Sequence, residues 1–263
     1  MSEDAILYEE RGAAAWLTIN RPDALNAINK AVLDGLNAGL DRAEAASGLR
    51  AVVVTGTGRA FSAGADLKSV REQVAKGDDS FGKRFVTAIL DVLDRMERFP
   101  LPVIAAVNGM ALAGGLETVL ACDLVIAAES ARLGDAHANY GLIPGGGGSV
   151  RLPRKVGPTR AKYLMFTGAF VPAADLVEAG LVNEVVPDAD LVEAVEKLVG
   201  QLANKSPIGL ARMKQLVNDG MEQPQETAIR LEYLMSELHA KSEDMAEGLA
   251  AFEEKRQPNF TGR

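Results

Sequence analysis

The segment NGMALAGGLETVLACDL (108–124) places Glu117 in the middle of a run that is otherwise nearly all apolar. An unpaired charge is costly to bury, so Glu117 should have either a hydrogen-bonding partner or a chemical task. A strand-like run (102–109) leads into the segment, and a helix is predicted to begin near Gly115. Helix starts carry unpaired N–H groups, and Gly114 has no side chain to cover its own. Glu117 projects from the same face one turn later, so an N–H donor and a carboxylate converge on one volume.

Glu117 also has a purely structural interpretation. A glutamate near the start of a helix can accept a hydrogen bond from the backbone N–H of the capping residue, an arrangement called a capping box. The local pattern favours neither interpretation, so both stay open at this point.

Around this segment, short apolar runs alternate with helical patterns, which is typical of the α/β class. The predicted strands are 13–20, 49–56, 102–109, 122–130 and 182–187, and the predicted helices among them are about 29–46, 80–98, 115–121 and 158–167. Strands then stop, and amphipathic helices are predicted at 188–205, 206–219, 224–241 and 242–256. We therefore expect an α/β core over 1–195 and a helical C-terminal region over 196–263.

The composition limits the classes of function. With 263 residues, 48% of them hydrophobic, the chain can build one large core. Its net charge of −8 argues against nucleic acid as a partner, although a local basic site could still bind a small anion. The opening MSEDAILYEERG lacks an apolar signal core, and no run has the ~20 apolar residues of a membrane span, so a cytoplasmic protein is expected. The single cysteine, Cys122, is expected to be buried and inert, with no metal site around it.

Two glycine-rich segments are poor nucleotide-binding loops. GTGRAF (56–61) has Phe61 where the third glycine of GxGxxG would stand, and PGGGGSVR (144–151) lacks the Gly-Lys-Ser/Thr of a P-loop. The second is interpreted as a tight turn that enters a helix near Ser149. The small residues of AFSAGADL (60–67) leave backbone N–H groups open to a ligand, although a plain loop is the simpler interpretation without further context.

Three segments together resemble the crotonase superfamily, which comprises enoyl-CoA hydratases and isomerases. They are RAFSAGADLK (59–68), NGMALAGGLETVLACDLVIA (108–127) and LGDAHANYGLIPGGGGSVRLPRKVG (133–157). Weaker matches at 20–29, 206–218 and 247–260 extend the resemblance over essentially the whole chain. It implies a spiral of ββα turns with a helical C-terminal region, trimers or hexamers, and an acyl-CoA thioester as substrate. No cofactor is implied, because coenzyme A is part of the substrate.

The resemblance also implies roles for particular residues. The backbone N–H groups of Ala63 and Gly114 would hold the thioester oxygen while it carries the charge of an enolate, a task for which preorganised donors are well suited. The residues that match the family's pocket-lining and nucleotide-binding positions are Ala63, Gly64, Ala65, Asp66, Phe252 and Lys255.

The sequence departs from the family at one catalytic position. Well-known hydratases of the family use two glutamates around one water; Glu117 matches one, whereas His137 occupies the place of the other. Histidine titrates near pH ~6.5 and can act as an acid or a base, so Glu117 and His137 are the predicted catalytic pair. Asp135 or Asn139 could orient His137. The other histidine, His239, is expected to be exposed.

The favoured function is an enoyl-CoA hydratase, a lyase in which Glu117 activates the water while His137 protonates Cα or holds the water. A hydrolase of CoA thioesters or β-diketone acyl-CoAs is the alternative. An isomerase is less favoured because the second glutamate is missing, and a non-catalytic binder because Glu117 is kept. Five apolar residues of the segment 70–98 predict an apolar acyl group: Val70, Val74, Phe81, Phe85 and Ile89.

Overall fold

The computed structural model describes residues 4–78 and 80–263. Residues 1–3, in the predicted N-terminal segment, and residue 79, in the predicted lining segment, lie outside the described residues. The strands in the described part are β1 (Ile6–Arg11), β2 (Ala14–Ile19), β3 (Ala51–Gly56), β4 (Ala60–Ser62), β5 (Val103–Val107), β6 (Met110–Leu112), β7 (Leu124–Ala128), β8 (Arg132–Gly134), β9 (Val171–Pro172) and β10 (Glu184–Val186). The α-helices there are α1 (Lys30–Ala45), α2 (Leu67–Ala75), α3 (Phe81–Arg98), α4 (Gly114–Leu120), α5 (Gly148–Val156), α6 (Pro158–Thr167), α7 (Leu191–Ala203), α8 (Pro207–Gly220), α9 (Gln225–His239) and α10 (Glu243–Glu254).

The strands form two sheets. The large sheet has the order β1-β2-β3-β5-β7-β10, and the small sheet has the order β4-β6-β8-β9. Neighbours run parallel except at β1/β2 and β8/β9. From β3 onward the chain repeatedly enters the large sheet, then the small sheet, then a helix: β3-β4-α2, β5-β6-α4 and β7-β8-α5. This is the expected spiral of ββα turns.

The inner strands of the large sheet, β2, β3, β5 and β7, are apolar and mostly buried, as expected for strands covered on both faces. Every residue of β5 is buried, and so are the apolar residues that α1 and α3 turn toward the core. All five strands and all eight helices predicted from the sequence are confirmed, with ends displaced by a few residues. The helix expected to begin near Ser149 is α5. The prediction missed β1, α2 and the small sheet.

The small sheet positions the site. Its neighbouring strands β4, β6 and β8 are parallel, so their carboxyl ends lie at one edge of the sheet. The loop 63–66 follows β4, Gly114 follows β6 closely, and Asp135 comes directly after β8. Three segments that are far apart in sequence are therefore brought together at this edge.

The C-terminal helices are attached to the core by buried groups. The predicted boundary after residue 195 falls inside α7, whose Val195 and Val199 are buried in the core. Lys214 of α8 forms an ion pair with Asp123 at 2.7 Å and also donates to the carbonyl of Met96 at 3.1 Å.

Within residues 4–78 and 80–263, no helix combines the length and apolarity needed to cross a membrane.

Candidate active site

Glu117 is buried and has a hydrogen-bonding partner on one side only. The residue is 2% exposed, and its Oε1 accepts from the N–H groups of Gly146 and Gly148 at 2.7 and 2.9 Å. Its Oε2 accepts no hydrogen bond from the described residues. Burial raises the pKa of Glu117, against the two glycine N–H groups, which favour the carboxylate. Oε1 is thus held in place, whereas Oε2 is available to accept a proton.

The capping-box interpretation of Glu117 is wrong. The capping residue of α4 is Ala113, whose N–H donates to the carbonyl of Gly134 at 3.0 Å rather than to Glu117. Ala113 also has a left-handed backbone, with φ of 48°, which is costly for a residue other than glycine. This turn presents the N–H of Gly114 to the site.

Two unpaired N–H groups lie side by side near Glu117, but one of them is not the predicted donor. The N–H of Ala63 donates to the carbonyl of Leu25 at 2.9 Å, so its prediction as an oxyanion donor is wrong. The N–H groups of Ala65 and Gly114 have no acceptor among the described residues. A Cβ on Gly114 would lie 3.4 Å from the Ala65 nitrogen, which shows how close the two segments are. The pair of donors is therefore Ala65 and Gly114.

The loop 63–66 is held by the segment 20–29. Arg21 forms an ion pair with Asp66 at 2.9 Å, and the other oxygen of Asp66 caps α2 by accepting from Ser69 N at 3.0 Å. Asp66 therefore supports the loop, with both carboxylate oxygens already engaged. Gly64 has φ of +95°, and a Cβ there would lie 3.0 Å from the Gly114 nitrogen. Only glycine allows the two donor segments to approach this closely.

His137 is paired with Asp135. Its Nδ1 lies 3.1 Å from Oδ1 of Asp135, and a carboxylate can only accept, so Nδ1 carries the hydrogen. Asp135 is 1% exposed, whereas the His137 side chain is 12% exposed. Asn139 instead donates to the carbonyl of Gly168 at 2.9 Å, which settles the choice of orienting residue in favour of Asp135. The tautomer leaves Nε2 of His137 to act on a ligand.

The three ionisable side chains of the site influence one another. Burial acts to lower the pKa of His137, but the hydrogen bond and charge of Asp135 outweigh it, and the pKa lies above its ordinary value. The charge of Glu117 raises the pKa of His137 further, and the charge of His137 lowers that of Glu117. The arrangement suits a carboxylate base beside an imidazolium acid.

Other predicted residues lie away from this cluster. Phe252 is 85% exposed near the end of α10, and Lys255 follows it in a left-handed conformation. In the described part of the chain, neither residue forms a hydrogen bond or ion pair with Glu117 or His137. His239 is half-buried and accepts from Arg212 at 2.9 Å, so it is not the free surface residue expected. Cys122 is buried, as predicted.

The predicted apolar lining is divided between core and surface. Phe85 and Ile89 are buried, Val70 and Phe81 are half-buried, and Val74 is exposed. Ile89 lies next to the glycine turn, since a Cβ on Gly146 would meet its Cγ2 at 2.9 Å. The apolar face of α3 therefore borders the Glu117 site.

Sequence reasoning missed the two glycines that bind Glu117. The pattern of PGGGG (144–148) predicts a tight turn before a helix but no contact with Glu117, yet a Cβ on Gly146 or Gly148 would lie 2.7 or 3.1 Å from a Glu117 oxygen. The run of glycines is the signal that could have found them, because several adjacent glycines indicate a close approach to the backbone.

The comparisons with known proteins agree with the geometry. A family model described as enoyl-CoA hydratase/isomerase matches residues 9–263. A crotonyl-CoA hydratase of Syntrophomonas wolfei is 35% identical over 264 residues, covering 100% of both chains. A short-chain-enoyl-CoA hydratase of Clostridium acetobutylicum is 36% identical and covers 97% of both. The crystal structure of an enoyl-CoA hydratase from Bacillus anthracis superposes with a TM-score of 0.92 at 37% identity, covering 98% of this chain and 100% of that one.

Proposed function

The chain belongs to the enoyl-CoA hydratase/isomerase family, and we propose that it is a lyase that adds water across the 2,3-double bond of an enoyl-CoA thioester. The observation that carries this proposal is the buried Glu117, anchored through one oxygen beside two unpaired N–H groups. Such a site combines a base with stabilisation for a developing oxyanion.

The thioester oxygen would lie between the N–H groups of Ala65 and Gly114. As water adds to C3, the π electrons of the double bond move toward C1 and the thioester oxygen gains charge. Two preorganised donors in a buried site stabilise that charge, and removing one such donor typically costs about 10²- to 10³-fold in rate.

Glu117 and His137 would divide the proton transfers. Oε2 of Glu117 accepts a proton from the attacking water, whose oxygen forms the new bond to C3. Nε2 of the imidazolium His137 donates a proton to C2, and the enolate returns to a thioester. The substrate gains one water molecule, which leaves Glu117 protonated and His137 neutral. Exchange of protons with solvent then restores the carboxylate and the imidazolium. Asp135 orients His137 and favours its cationic form before the proton is donated.

The His137–Asp135 pair also favours one alternative, hydrolysis of the thioester or of a β-diketone acyl-CoA. A neutral imidazole oriented by a carboxylate is a general base, and it could direct water to a carbonyl carbon instead of C3. The pKa of His137 is raised, which populates the cation and favours the hydratase.

Coenzyme A enters this proposal as part of the substrate, with the chemistry carried by the chain's own groups. Phe252 and Lys255 would contact its nucleotide end, and their exposure leaves them accessible.

A trimer or hexamer in the cytoplasm is part of the same proposal. Exposed apolar side chains on α8 and α9 are the surface for assembly: Met213, Val217, Ile229, Leu234 and Leu238. Light scattering of the full chain measures its mass, and a monomer would contradict the assembly.

One assay tests the proposed reaction. A short 2-enoyl-CoA is incubated with the protein while the absorbance of the conjugated thioester and the free thiol are both followed. Hydration removes the absorbance without releasing thiol, whereas hydrolysis releases thiol. A protein that does neither, but whose melting temperature rises with the ligand concentration, is a binder.

A further inference from the structure

The glycine turn that anchors Glu117 is itself anchored by an arginine on α5. Arg151 is only 9% exposed, and its Nη1 donates to the carbonyl of Gly146 at 2.9 Å. Its own backbone N–H donates to the carbonyl of Gly147 at 2.8 Å. Gly146 thus accepts from Arg151 through its oxygen while it donates to Glu117 through its nitrogen.

The other side of the guanidinium is bound to α3. Its Nε and Nη2 donate to Glu97 at 3.1 and 2.8 Å, and Nη2 also pairs with Asp94. The carbonyl of Glu97 in turn accepts from Asn218 of α8 at 3.1 Å. A planar guanidinium can satisfy these acceptors together, which a single ammonium cannot do. Arg151 therefore bridges the glycine turn to α3, a long helix whose apolar face is buried in the core.

The turn is built to admit this side chain. Gly147 has φ of +92°, a left-handed conformation that favours glycine, and a Cβ there would collide with Nη1 of Arg151. The middle glycine of the turn therefore makes room for Arg151, and Gly146 and Gly148 make room for Glu117.

We propose that Arg151 is the positioning residue of the general base: by fixing the peptide of Gly146, it holds the N–H groups that anchor and aim the Glu117 side chain. Without Arg151 the turn can relax, and the hydrogen bonds to Oε1 lengthen. Those bonds favour the charged form, so the pKa of Glu117 rises when they weaken. The catalytic part of this inference rests on the proposed role of Glu117 as the base.

The test compares Arg151→Gln and Arg151→Lys with Arg154→Gln as the matched control. Arg154 lies on the same helix but forms an exposed ion pair with Glu222 at 3.1 Å and donates to the carbonyl of Val150. The full chain is labelled with carboxyl-¹³C glutamate, the Glu117 signal is assigned by its absence in Glu117→Gln, and its titration midpoint is measured. The pH dependence of kcat/KM for a short enoyl-CoA is recorded in parallel.

In Arg151→Gln we expect the midpoint to rise by roughly one pH unit and the acidic limb of kcat/KM to follow it. At pH 7, kcat/KM should fall by up to about 10-fold, the largest change that a one-unit rise can make in the carboxylate fraction. Arg151→Lys should lie between parent and Arg151→Gln, and Arg154→Gln should match the parent in both readouts.

An unchanged midpoint in folded Arg151→Gln would overturn the proposal, as would an equal shift in Arg154→Gln. If circular dichroism shows that Arg151→Gln does not fold, Arg151→Lys decides by the same criterion. The NMR midpoint needs no turnover, so an inactive parent would refute the hydratase while leaving the positioning role measurable.

Discussion

Nδ1 of His137 lies 3.1 Å from Oδ1 of Asp135. Because of this contact, an oriented imidazole stands at the position where well-known hydratases of the family have their second glutamate. Asp135 raises the pKa of both His137 and Glu117. The pH profile of the enzyme therefore depends on a residue that is itself buried beside the reacting groups.

Replacing Asp135 by Asn should shift both limbs of the pH profile of kcat/KM toward acid. His137 loses the negative charge that raises its pKa, so the alkaline limb moves to lower pH. Glu117 loses a neighbouring negative charge that raises its own pKa, so the acidic limb also moves to lower pH. Activity at pH 7.5 should fall at least about 10-fold. Asn139→Ala is the control, because Asn139 bonds Gly168 instead. Limbs that do not move in Asp135→Asn would mean that the contact does not control the titration.

Backbone ester substitution distinguishes Ala65 from Ala63 as the oxyanion donor. Lactic acid introduced at residue 65 by nonsense suppression replaces the N–H by oxygen, and kcat should fall about 10²- to 10³-fold. The same change at residue 63 removes the bond to Leu25 O and should cost about 1 kcal/mol of unfolding free energy with little effect on kcat. The assignment is wrong if the two positions respond in the opposite order.

A methyl group at Gly146 should damage catalysis through Glu117. Its Cβ would lie 2.7 Å from Oε2 of Glu117, so Gly146→Ala displaces the carboxylate, and a loss of roughly 10²-fold in kcat/KM is expected. Gly200→Ala on α7 meets no atom within 4 Å and should leave kcat/KM unchanged while stabilising the helix by about 0.5–1 kcal/mol. Steady-state kinetics on both variants, with circular dichroism to verify folding, provide the check. Full activity in Gly146→Ala would show that the carboxylate tolerates displacement.

The half-buried ion pair between Lys214 and Asp123 should anchor α8 to the core. Lys214→Met leaves Asp123 without its ion-pair partner, and a loss of about 1.5–3 kcal/mol in unfolding free energy is expected from urea denaturation. Adding Asp123→Asn removes the unpaired charge and should restore most of that stability. The exposed pair of Lys30 and Asp34 is the control, since Lys30→Met should change stability little. A small effect of Lys214→Met would place the anchor elsewhere.

Five of the six large-sheet strands were predicted because they lie in apolar runs long enough to show a pattern, whereas β1 is mostly polar and was missed. The small sheet escaped prediction, since β4, β6 and β8 have three residues each and present no periodicity. Yet it is the small sheet that brings the loop 63–66, Gly114 and Asp135 together.

The site shows the same division between local and tertiary information. Gly114 and Glu117 were found because their relation is local, one helical turn apart. The choice between Ala63 and Ala65 depends on Leu25, whose carbonyl takes up one of the two N–H groups, and no local pattern reveals that partner. Gly146 and Arg151 likewise act through contacts across the fold.

The turnover of Glu117→Gln on a short enoyl-CoA, measured together with its melting temperature, tests the central claim most directly. Glutamine keeps an oxygen for Gly146 and Gly148 but cannot accept the proton, so kcat should fall about 10²- to 10⁴-fold.

The melting temperature should stay equal or rise. The raised pKa of Glu117 means that the parent loses stability as pH increases from the usual range of a glutamate through that pKa, and glutamine removes this loss. A variant that retains full turnover would contradict the account, because Glu117 would then be a structural residue and the proposed hydration would have no base.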